Sequence, residues 1–360
     1  MHRVFNFSSG PSALPLPVLE KAQKELCNYQ QTGISVMEMS HRSSAYQEIM
    51  DETTSLLKEL MEIPYNYQIL FLPGGASLQF SMVPLNLLRK SKKADYIHTG
   101  SWSKKAIAEA KKYGEIRIAA SSDEQQFREV PVLNKMVFDD EADYVHITVN
   151  NTIEGTCFHQ IPHTGNVPLV ADMSSNILST YCDVSAFGII YAGAQKNLGT
   201  AGVTIVLVRE DLIGNAASDC PTMLDYQTHS KHRSLYNTPP SFSIYITKLV
   251  LEWLKEMGGV SAIESLNREK ARLLYTFLDE SKLFTSNVAR NSRSLMNIPF
   301  TTDSDDLNQK FIEEAKAAGL VTLGGHRSVG GMRASIYNAM PLEGVQELVA
   351  FMSNFEMNNR

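Results

Sequence analysis

The sequence of 360 residues is poor in cysteine and has no cysteine pair with the spacing of a metal or redox motif. Its four cysteines, Cys27, Cys157, Cys182 and Cys220, are scattered, which argues against a zinc site or a disulfide framework and fits a reducing cytosol. Positive charge is not in excess either, because the formal net charge is -6. We therefore expect no metal centre and no nucleic-acid partner.

Long apolar runs are also absent. No run approaches the roughly 20 residues that a membrane-spanning helix needs. The N-terminal stretch Met1–Pro11 contains no apolar signal core. The hydrophobic content of 43% and the charged content of 20% are ordinary for a globular protein. The sequence therefore predicts a cytoplasmic protein that does not associate with membranes.

The two common nucleotide-binding fingerprints are missing as well. A glycine turn, Pro73–Ser77, joins an apolar strand pattern at Tyr67–Leu72 to a helical pattern at Leu78–Leu88. It matches neither GxGxxG nor the Walker sequence, so it does not indicate an adenine dinucleotide. A strand, a glycine turn and a helix in succession can present backbone N–H groups to a phosphate, although an ordinary tight turn is the alternative.

Strand and helix patterns alternate from about residue 16 to residue 209, which predicts a mostly parallel sheet covered by helices. After about residue 256 the pattern changes to α+β. We therefore expect a large domain over 16–255 and a small domain over 256–360 that also includes residues 1–15. A chain of 360 residues is long enough for two such domains.

Polar or aromatic residues follow several predicted strands. They are Ser77, Trp102, Thr152 and Asp172. In open α/β sheets ligands bind at the carboxyl ends of the strands, so these side chains are expected to share one edge. Each has a structural alternative: a tight turn, a packing tryptophan, or an aspartate that only caps a turn.

One lysine, Lys196, lies in a turn of small residues between two apolar strand patterns, Gly188–Tyr191 and Val203–Val208. Lysine is rarely buried without a reason. A desolvated ammonium loses its proton more easily, and the free amine attacks carbonyls. The turn therefore fits either a lysine that bonds an aldehyde cofactor or an exposed lysine of a hairpin.

An aldehyde cofactor with a phosphate tail and a pyridine ring would account for all these residues together. Lys196 can bond the aldehyde, and the N–H groups of Ala76 and Ser77 can bind the phosphate. Trp102 can stack on the ring, and Asp172 can keep the ring nitrogen protonated. Lys196 is then placed to carry the substrate's α-proton as general base and acid.

The sequence resembles the phosphoserine aminotransferase family, which belongs to class V of the fold-type-I pyridoxal-phosphate enzymes. The matching stretches occur in the family's order over nearly the whole chain: Phe7–Pro11, Glu38–Arg42, Pro73–Gly75, Gly100–Ser103, Ala194–Asn197, Tyr236–Pro240 and Gly325–Arg327. The resemblance implies a large domain with a mostly parallel seven-stranded sheet covered by helices. It also implies a smaller α+β C-terminal domain.

The resemblance implies a role for each matching cofactor residue. Lys196 matches the Schiff-base lysine, and Asp172 matches the partner of the ring nitrogen. The remaining cofactor contacts within the chain match Ala76, Ser77, Trp102, Thr152 and Gln195. Asn237 and Thr238 match residues that reach the cofactor phosphate across a dimer interface, which implies a homodimer with shared active sites. Some members carry arginine where this chain has Ser77.

The resemblance also implies two phosphorylated or dicarboxylic substrates, glutamate and 3-phosphohydroxypyruvate. The cationic cluster around the substrate phosphate matches His41, Arg42, His326 and Arg327. Arg42 additionally matches the contact to the glutamate carboxylate, and Arg333 matches the clamp on the α-carboxylate. Arginine suits such roles because it binds carboxylate and phosphate through paired, charge-assisted hydrogen bonds. The implied reaction yields phosphoserine and 2-oxoglutarate.

The resemblance suggests a second use on 4-phosphohydroxythreonine, and three alternatives remain open. One is another class V enzyme, such as an alanine–glyoxylate aminotransferase or a cysteine desulfurase. A desulfurase needs a cysteine near the small domain, whereas every cysteine here precedes residue 221. The second is a nicotinamide-dependent enzyme, against which the missing GxGxxG argues. The third is a binding protein without cofactor, against which Lys196 and Asp172 argue.

Overall fold

The structure, a computed structural model, describes residues 3–359. The helices are α1 (Leu16–Glu25), α2 (Ser44–Leu60), α3 (Gly75–Leu87), α4 (Ser101–Ala110), α5 (Tyr226–Lys231), α6 (Ser241–Glu256), α7 (Gly259–Glu280), α8 (Asp305–Ala317) and α9 (Leu342–Asn358). The strands are β1 (Phe5–Asn6), β2 (Tyr67–Leu72), β3 (Lys93–His98), β4 (Glu115–Ser121), β5 (Tyr144–Thr148), β6 (Leu169–Asp172), β7 (Ile189–Gly193), β8 (Thr204–Arg209), β9 (Asn297–Phe300), β10 (Leu320–Val321) and β11 (Met332–Ser335).

The centre of the described chain is a seven-stranded sheet with the strand order β2-β8-β7-β6-β5-β3-β4. Every neighbouring pair is parallel except the two pairs that β8 makes with β2 and β7. The predicted α/β fold with a mostly parallel sheet is thus confirmed. Because only β8 runs in the reverse direction, the loops that follow β2, β3, β5, β6 and β7 all leave the sheet at the same edge.

Helices cover both faces of this sheet. Successive residues of a strand point to opposite faces. Accordingly, Ala171 and Ile190 lie in one apolar core with buried residues of α2 and α6. Their neighbours Val170 and Tyr191 lie in another core, with buried residues of α3, α4 and α5. Burial on both faces explains why the central strands are almost continuously apolar rather than alternating.

A third core lies in the C-terminal part of the chain, where α7, α8 and α9 pack with the antiparallel pair β9 and β11. Phe7 belongs to this core, and β1 pairs in parallel with β10. The N-terminal strand therefore contacts the C-terminal part of the chain. The domain boundaries at 16–255 and 256–360 stay a prediction.

The first helix is shorter than its sequence pattern, which predicts a helix over residues 17–31. Helix α1 ends at Glu25, and a separate 3-10 turn follows at Tyr29–Gln31. Asn28 has φ -154° and ψ 88°, which leaves the helical region, and the left-handed conformations of Gln30 (φ +44°) and Gln31 (φ +63°) prevent the α-helix from resuming. None of the helices in the described part of the chain is long and apolar enough to cross a membrane.

Phe284 is expected to be a principal contributor to stability in the C-terminal core. Its fully buried ring has its centroid 5.1 Å from that of Phe311 and 5.9 Å from that of Phe300. Phe284→Ala should therefore lower the free energy of unfolding by about 3–5 kcal/mol, measured by urea denaturation. The control Tyr65→Ala, at a side chain that is 95% exposed, should change it by less than about 0.5 kcal/mol. Equal losses for both variants would contradict this account.

Candidate active site

A cavity of about 110 Å³ opens at the sheet edge where the loops after β2, β3, β5, β6 and β7 meet. The residues of this cavity include all those that the sequence assigned to the cofactor pocket within one chain: Ala76, Ser77, Trp102, Thr152, Asp172, Gln195 and Lys196. The structure therefore brings together side chains that are up to 120 residues apart in the sequence. We call this space the edge cavity.

The first turn of α3 forms one side of the edge cavity. Gly74 has φ +93°, and a Cβ there would lie 2.5 Å from a methyl carbon of Leu78, so only glycine lets β2 turn directly into α3. The first N–H groups of a helix have no partner within the helix and carry a partial positive charge. Gly75, Ala76 and Ser77 thus present an anion-binding helix end to the cavity.

Lys196 contributes a reactive amine to the edge cavity. Its Nζ donates a hydrogen bond to Oγ1 of Thr152 at 2.7 Å and lies 5.8 Å from the centre of the Trp102 ring. Burial lowers the pKa of Lys196 to about 8, and the charge of Arg333 acts in the same direction. The nearby Asp172 carboxylate opposes this shift but does not cancel it. Much of the amine is therefore neutral in mildly alkaline solution.

Asp172 ends β6 and is 5% exposed. Burial raises the pKa of its carboxyl group, while hydrogen bonding from Ser174 and the charge of Lys196 lower it in part. The backbone N–H of Ser174 donates to Oδ1 at 2.9 Å, which fixes the carboxyl group at the end of the strand. A buried carboxyl group of this kind favours a cationic N–H partner in the cavity.

Trp102 lies in the first turn of α4 and forms a wall of the edge cavity. Glu154, in the loop after β5, accepts hydrogen bonds from the backbone N–H of Ser101 at 2.7 Å and from its hydroxyl group at 2.8 Å. A carboxylate at this helix end is stabilised by the helix dipole. Glu154 therefore connects the helix that carries Trp102 to the loop that carries Thr152.

Arg333, on β11, extends the site toward the C-terminal part of the chain. Its guanidinium group donates to the backbone oxygen of Thr152 at 3.0 Å and to Oγ of Ser9 at 2.6 Å. It is 8% exposed, and burial lowers its pKa. Arg333 is thus a cation next to the lysine pocket, with a hydroxyl group as its partner rather than a carboxylate.

The other predicted substrate residues lie outside the edge cavity. Arg42, His326 and Arg327 are exposed, and His41 is half-buried in the turn before α2. Nδ1 of His326 lies 2.7 Å from the hydroxyl oxygen of Ser328. None of these four residues lines the edge cavity as residues 3–359 form it. Their contact with a substrate stays a prediction.

Asn237 and Thr238 also lie outside the edge cavity. Both are exposed in the segment that precedes α6, and neither lines the cavity in the described part of this single chain. The residues assigned to a dimeric contact therefore remain on the surface, which is where a second subunit could reach them.

Several polar residues of the site were not predicted from the sequence. Glu154 and Ser174 lie in the loops that follow β5 and β6, so the rule that ligand residues follow parallel strands finds them when it is applied to every polar residue of those loops. The buried hydroxyl group of Thr148 also lines the cavity and has no hydrogen-bond partner within the described residues. Ser9 could not be found in this way, because it contacts Arg333 across 324 positions of sequence.

The edge cavity suits a flat ligand with three features. The start of α3 can bind an anionic tail, Asp172 can pair with a protonated ring nitrogen, and Lys196 can bond a carbonyl carbon. The unpartnered hydroxyl group of Thr148 offers a further contact. Within residues 3–359 no three or more His, Cys, Asp and Glu side chains are grouped so that they could hold a metal ion.

Comparisons with known proteins agree with this description. The model of the family "Aminotransferase class-V" matches residues 4–348. The chain is 67% identical to the phosphoserine aminotransferase of Bacillus cereus over 360 residues, which is 100% of each protein. It is similar to the solved phosphoserine aminotransferase of Bacillus circulans subsp. alkalophilus, with a TM-score of 0.98, 48% identity and 99% of each chain covered. It is also similar to the pyridoxal-phosphate-bound phosphoserine aminotransferase of Trichomonas vaginalis, with a TM-score of 0.92 and 39% identity over 98% of this chain and 100% of that one.

The environment of Lys196 predicts an unusual pH dependence in the cofactor-free chain. Acetylation by a limiting amount of acetic anhydride, quantified by mass spectrometry, should be half-maximal near pH 8 at Lys196. A lysine side chain of ordinary pKa titrates about two units higher.

Two variants test the cause of this shift. Asp172→Asn should lower the midpoint further because the carboxylate favours the ammonium form, and Arg333→Met should raise it because a repelling charge is removed. A midpoint near pH 10 for Lys196 in the unaltered chain would contradict the geometry described here.

Proposed function

The chain belongs to the aminotransferase class-V family and, within it, to the phosphoserine aminotransferases, and on this premise we propose how its residues carry out the reaction. It is a pyridoxal-phosphate-dependent aminotransferase of serine biosynthesis. The amino group of L-glutamate is transferred to 3-phosphohydroxypyruvate, which gives O-phospho-L-serine and 2-oxoglutarate in two half-reactions. The observation that carries this function is the amine of Lys196 in the edge cavity, between Thr152 and Asp172.

The residues of the edge cavity fit the cofactor. Pyridoxal 5'-phosphate, when bound, supplies an aldehyde carbon that accepts an amino group and a ring that withdraws electrons from the bonds next to it. Lys196 would hold the aldehyde, and the first turn of α3 with Ser77 would hold the phosphate. Trp102 would lie on the ring face, and Asp172 would pair with the ring nitrogen. Where some family members have arginine, Ser77 offers only a hydroxyl group.

Lys196 also suits the proton transfer that each half-reaction needs. A general base works best when its pKa lies close to the working pH, and burial lowers the pKa of Lys196 to about 8. The hydroxyl group of Thr152 holds Nζ at 2.7 Å, so the amine has a fixed direction before the substrate arrives. Lys196 would take the α-proton from the substrate and return a proton in the second half of each transfer.

The cationic residues supply the specificity for doubly anionic substrates. Arg333 would bind the α-carboxylate, since its guanidinium group is fixed by Ser9 and by the loop that carries Thr152. The pairs His41 with Arg42 and His326 with Arg327 would surround the substrate phosphate. Arg42 would also bind the second carboxylate of glutamate. Paired arginine hydrogen bonds favour such anions over uncharged groups.

We further propose a homodimer with shared active sites. Asn237 and Thr238 are exposed and absent from the edge cavity of their own chain. Their match to residues that reach a partner's cofactor phosphate supports a site completed by a second subunit.

We propose the cytoplasm as the compartment of this protein, because the curated relatives are bacterial enzymes. Activity on 4-phosphohydroxythreonine stays a prediction.

The desulfurase alternative lacks a suitable cysteine. Burial raises the pKa of Cys157 to about 12 and that of Cys182 to about 12, so neither thiol readily becomes a nucleophile. The four cysteines all lie within the described residues, and none of them lines the edge cavity. The phosphoserine aminotransferase function is the one that the full-length relatives share.

The function is tested by the choice between 3-phosphohydroxypyruvate and hydroxypyruvate, each with glutamate as amino donor. The phosphorylated substrate should be strongly preferred. Arg327→Ala should raise KM for 3-phosphohydroxypyruvate roughly 10- to 100-fold, because a charged hydrogen bond is lost, and should leave the glutamate half-reaction nearly unchanged. The exposed Arg272→Ala on α7 serves as control and should change neither. Equal losses for both substrates would contradict the phosphate assignment.

Shared active sites are tested by mixing two inactive variants. Lys196→Ala should have no turnover, and Asn237→Ala combined with Thr238→Ala should bind cofactor weakly. In a hybrid dimer one site receives Lys196 from one subunit and Asn237 with Thr238 from the other, so it is intact. Random refolding of an equal mixture should restore about a quarter of the normal activity, because half of the dimers are hybrids with one intact site of two. Hybrids that form without any gain in activity would refute the shared site.

A further inference from the structure

Three buried asparagines, Asn197, Asn267 and Asn338, form a hydrogen-bonded cluster, which we call the asparagine cluster. Oδ1 of Asn197 accepts a hydrogen bond from the backbone N–H of Asn338 at 3.0 Å. Oδ1 of Asn338 accepts from Nδ2 of Asn267 at 2.8 Å. The three side chains are at most 6% exposed. The cluster therefore connects the residue after Lys196 to α7 and to the turn after β11.

The cluster also holds the loop that follows Asp172. Nδ2 of Asn197 donates to the backbone oxygen of Ile177 at 3.0 Å, and Nδ2 of Asn338 donates to that of Leu178 at 2.8 Å. Nδ2 of Asn267 donates to the backbone oxygen of Ser179 at 3.0 Å. Each asparagine thus gives a carbonyl group of the same loop a partner that the buried group needs. The asparagine cluster therefore fixes the loop after Asp172 relative to the turn that contains Lys196.

Lys270 fixes the turn that carries Asn338. It lies one helical turn after Asn267 on α7 and is fully buried. Its Nζ donates to three backbone oxygens, those of Ile336 at 3.1 Å, Tyr337 at 2.8 Å and Met340 at 2.9 Å. Burial lowers the pKa of Lys270 to about 7, and the three carbonyl groups oppose this because they favour the ammonium form with its three N–H donors. Helix α7 holds this turn at two points, through Asn267 and Lys270.

Ser12, near the N-terminus, also holds the turn that carries Lys196. The backbone N–H of Ser12 donates to the oxygen of Gln195 at 2.9 Å, and its hydroxyl group donates to the oxygen of Lys196. Ser12 thus holds the backbone at residues 195 and 196, and the asparagine cluster holds the side chain of Asn197. A lysine side chain is flexible, so the position of its amine depends on how firmly its backbone is fixed.

We propose that Asn338 is a positioning residue for Lys196: its side chain, held by Asn267, places its backbone N–H against Asn197, so that the amine of the preceding residue points at Thr152 and Asp172. Asn338 does not line the edge cavity as the described residues form it. Its backbone N–H contacts Asn197, and its side chain, bonded to Leu178 and Asn267, fixes the position of that N–H. The proposal rests on the function proposed above for Lys196 and extends it. Through the same contacts, a displacement of α7 would shift the amine.

The test compares Asn338→Ala with Asn308→Ala. Asn308 is a second buried asparagine of the C-terminal part, at the start of α8, and its Oδ1 accepts from the backbone N–H of Thr302 at 2.9 Å and from its hydroxyl group at 2.9 Å. It has no contact with the asparagine cluster or the edge cavity among the described residues. Both variants lose buried amide hydrogen bonds, so both should be destabilised in urea. Asn338→Ala keeps the backbone N–H but loses the side-chain contacts that fix its position, so only this variant should change Lys196.

Two measurements on the cofactor-free chain report on Lys196 without catalysis. The affinity for pyridoxal 5'-phosphate, titrated by absorbance, should fall on the order of 10- to 100-fold in Asn338→Ala, as small misplacements of a reacting group do. The pH midpoint for acetylation of Lys196 should rise from about 8 toward that of an ordinary lysine, since a displaced amine gains water. Asn308→Ala should change neither quantity.

Each outcome decides the proposal. Unchanged affinity and midpoint in Asn338→Ala, or equal changes in both variants, would overturn it. If Asn338→Ala does not fold, Asn267→Ala is the second variant, because it removes the two hydrogen bonds to Ser179 and Asn338 and keeps the side chains of Asn338 and Asn197. It should shift both quantities in the same direction, and no shift would overturn the proposal. Failure of the proposed function would look different, because borohydride would then fail to fix pyridoxal 5'-phosphate to Lys196 even in the unaltered chain.

Discussion

The active site depends on a buried amine, that of Lys196, which nevertheless has a hydrogen-bond partner and charged neighbours. Burial is the largest cause that lowers the pKa of Lys196. The charge of Asp172 opposes this shift, and the charge of Arg333 adds to it. Thr152 then fixes the direction of Nζ. These partners come from separate loops and from β11, so the sheet and the C-terminal part of the chain must be held in a fixed relation. Burial makes the amine reactive, and the contacts of the surrounding fold keep it buried.

Much of the fold could be predicted because it follows from local patterns. Apolar strands alternating with amphipathic helices predict a parallel sheet, and the C-terminal change of pattern agrees with the separate core around Phe284. The order of the strands could not be derived, because pairing between distant strands leaves no local signature. The early end of α1 precedes the non-helical backbone of Asn28, which the apolar pattern of the sequence does not predict.

The candidate site was predictable to the extent that it follows one rule, that ligand residues follow parallel strands at one edge. That rule finds Trp102, Thr152 and Asp172, and the small residues around Lys196 mark the lysine. The rule does not find residues that act through buried hydrogen bonds between distant parts of the sequence. The asparagine pair 197 and 338 is separated by 141 positions, and the pair of Ser9 and Arg333 by 324. Such contacts are visible only after the chain has folded.

The hairpin of β7 and β8 has a consequence for the order in which contacts form during folding. This antiparallel pair is joined by the short turn that contains Lys196, so it can close with little loss of chain entropy. The contacts that fix the surroundings of Lys196, from Ser12, Asn338 and Arg333, join regions that are far apart in sequence and therefore form slowly. On this order of events a newly synthesised chain carries an ordinary basic lysine first. It acquires its chemical reactivity only when its two ends meet.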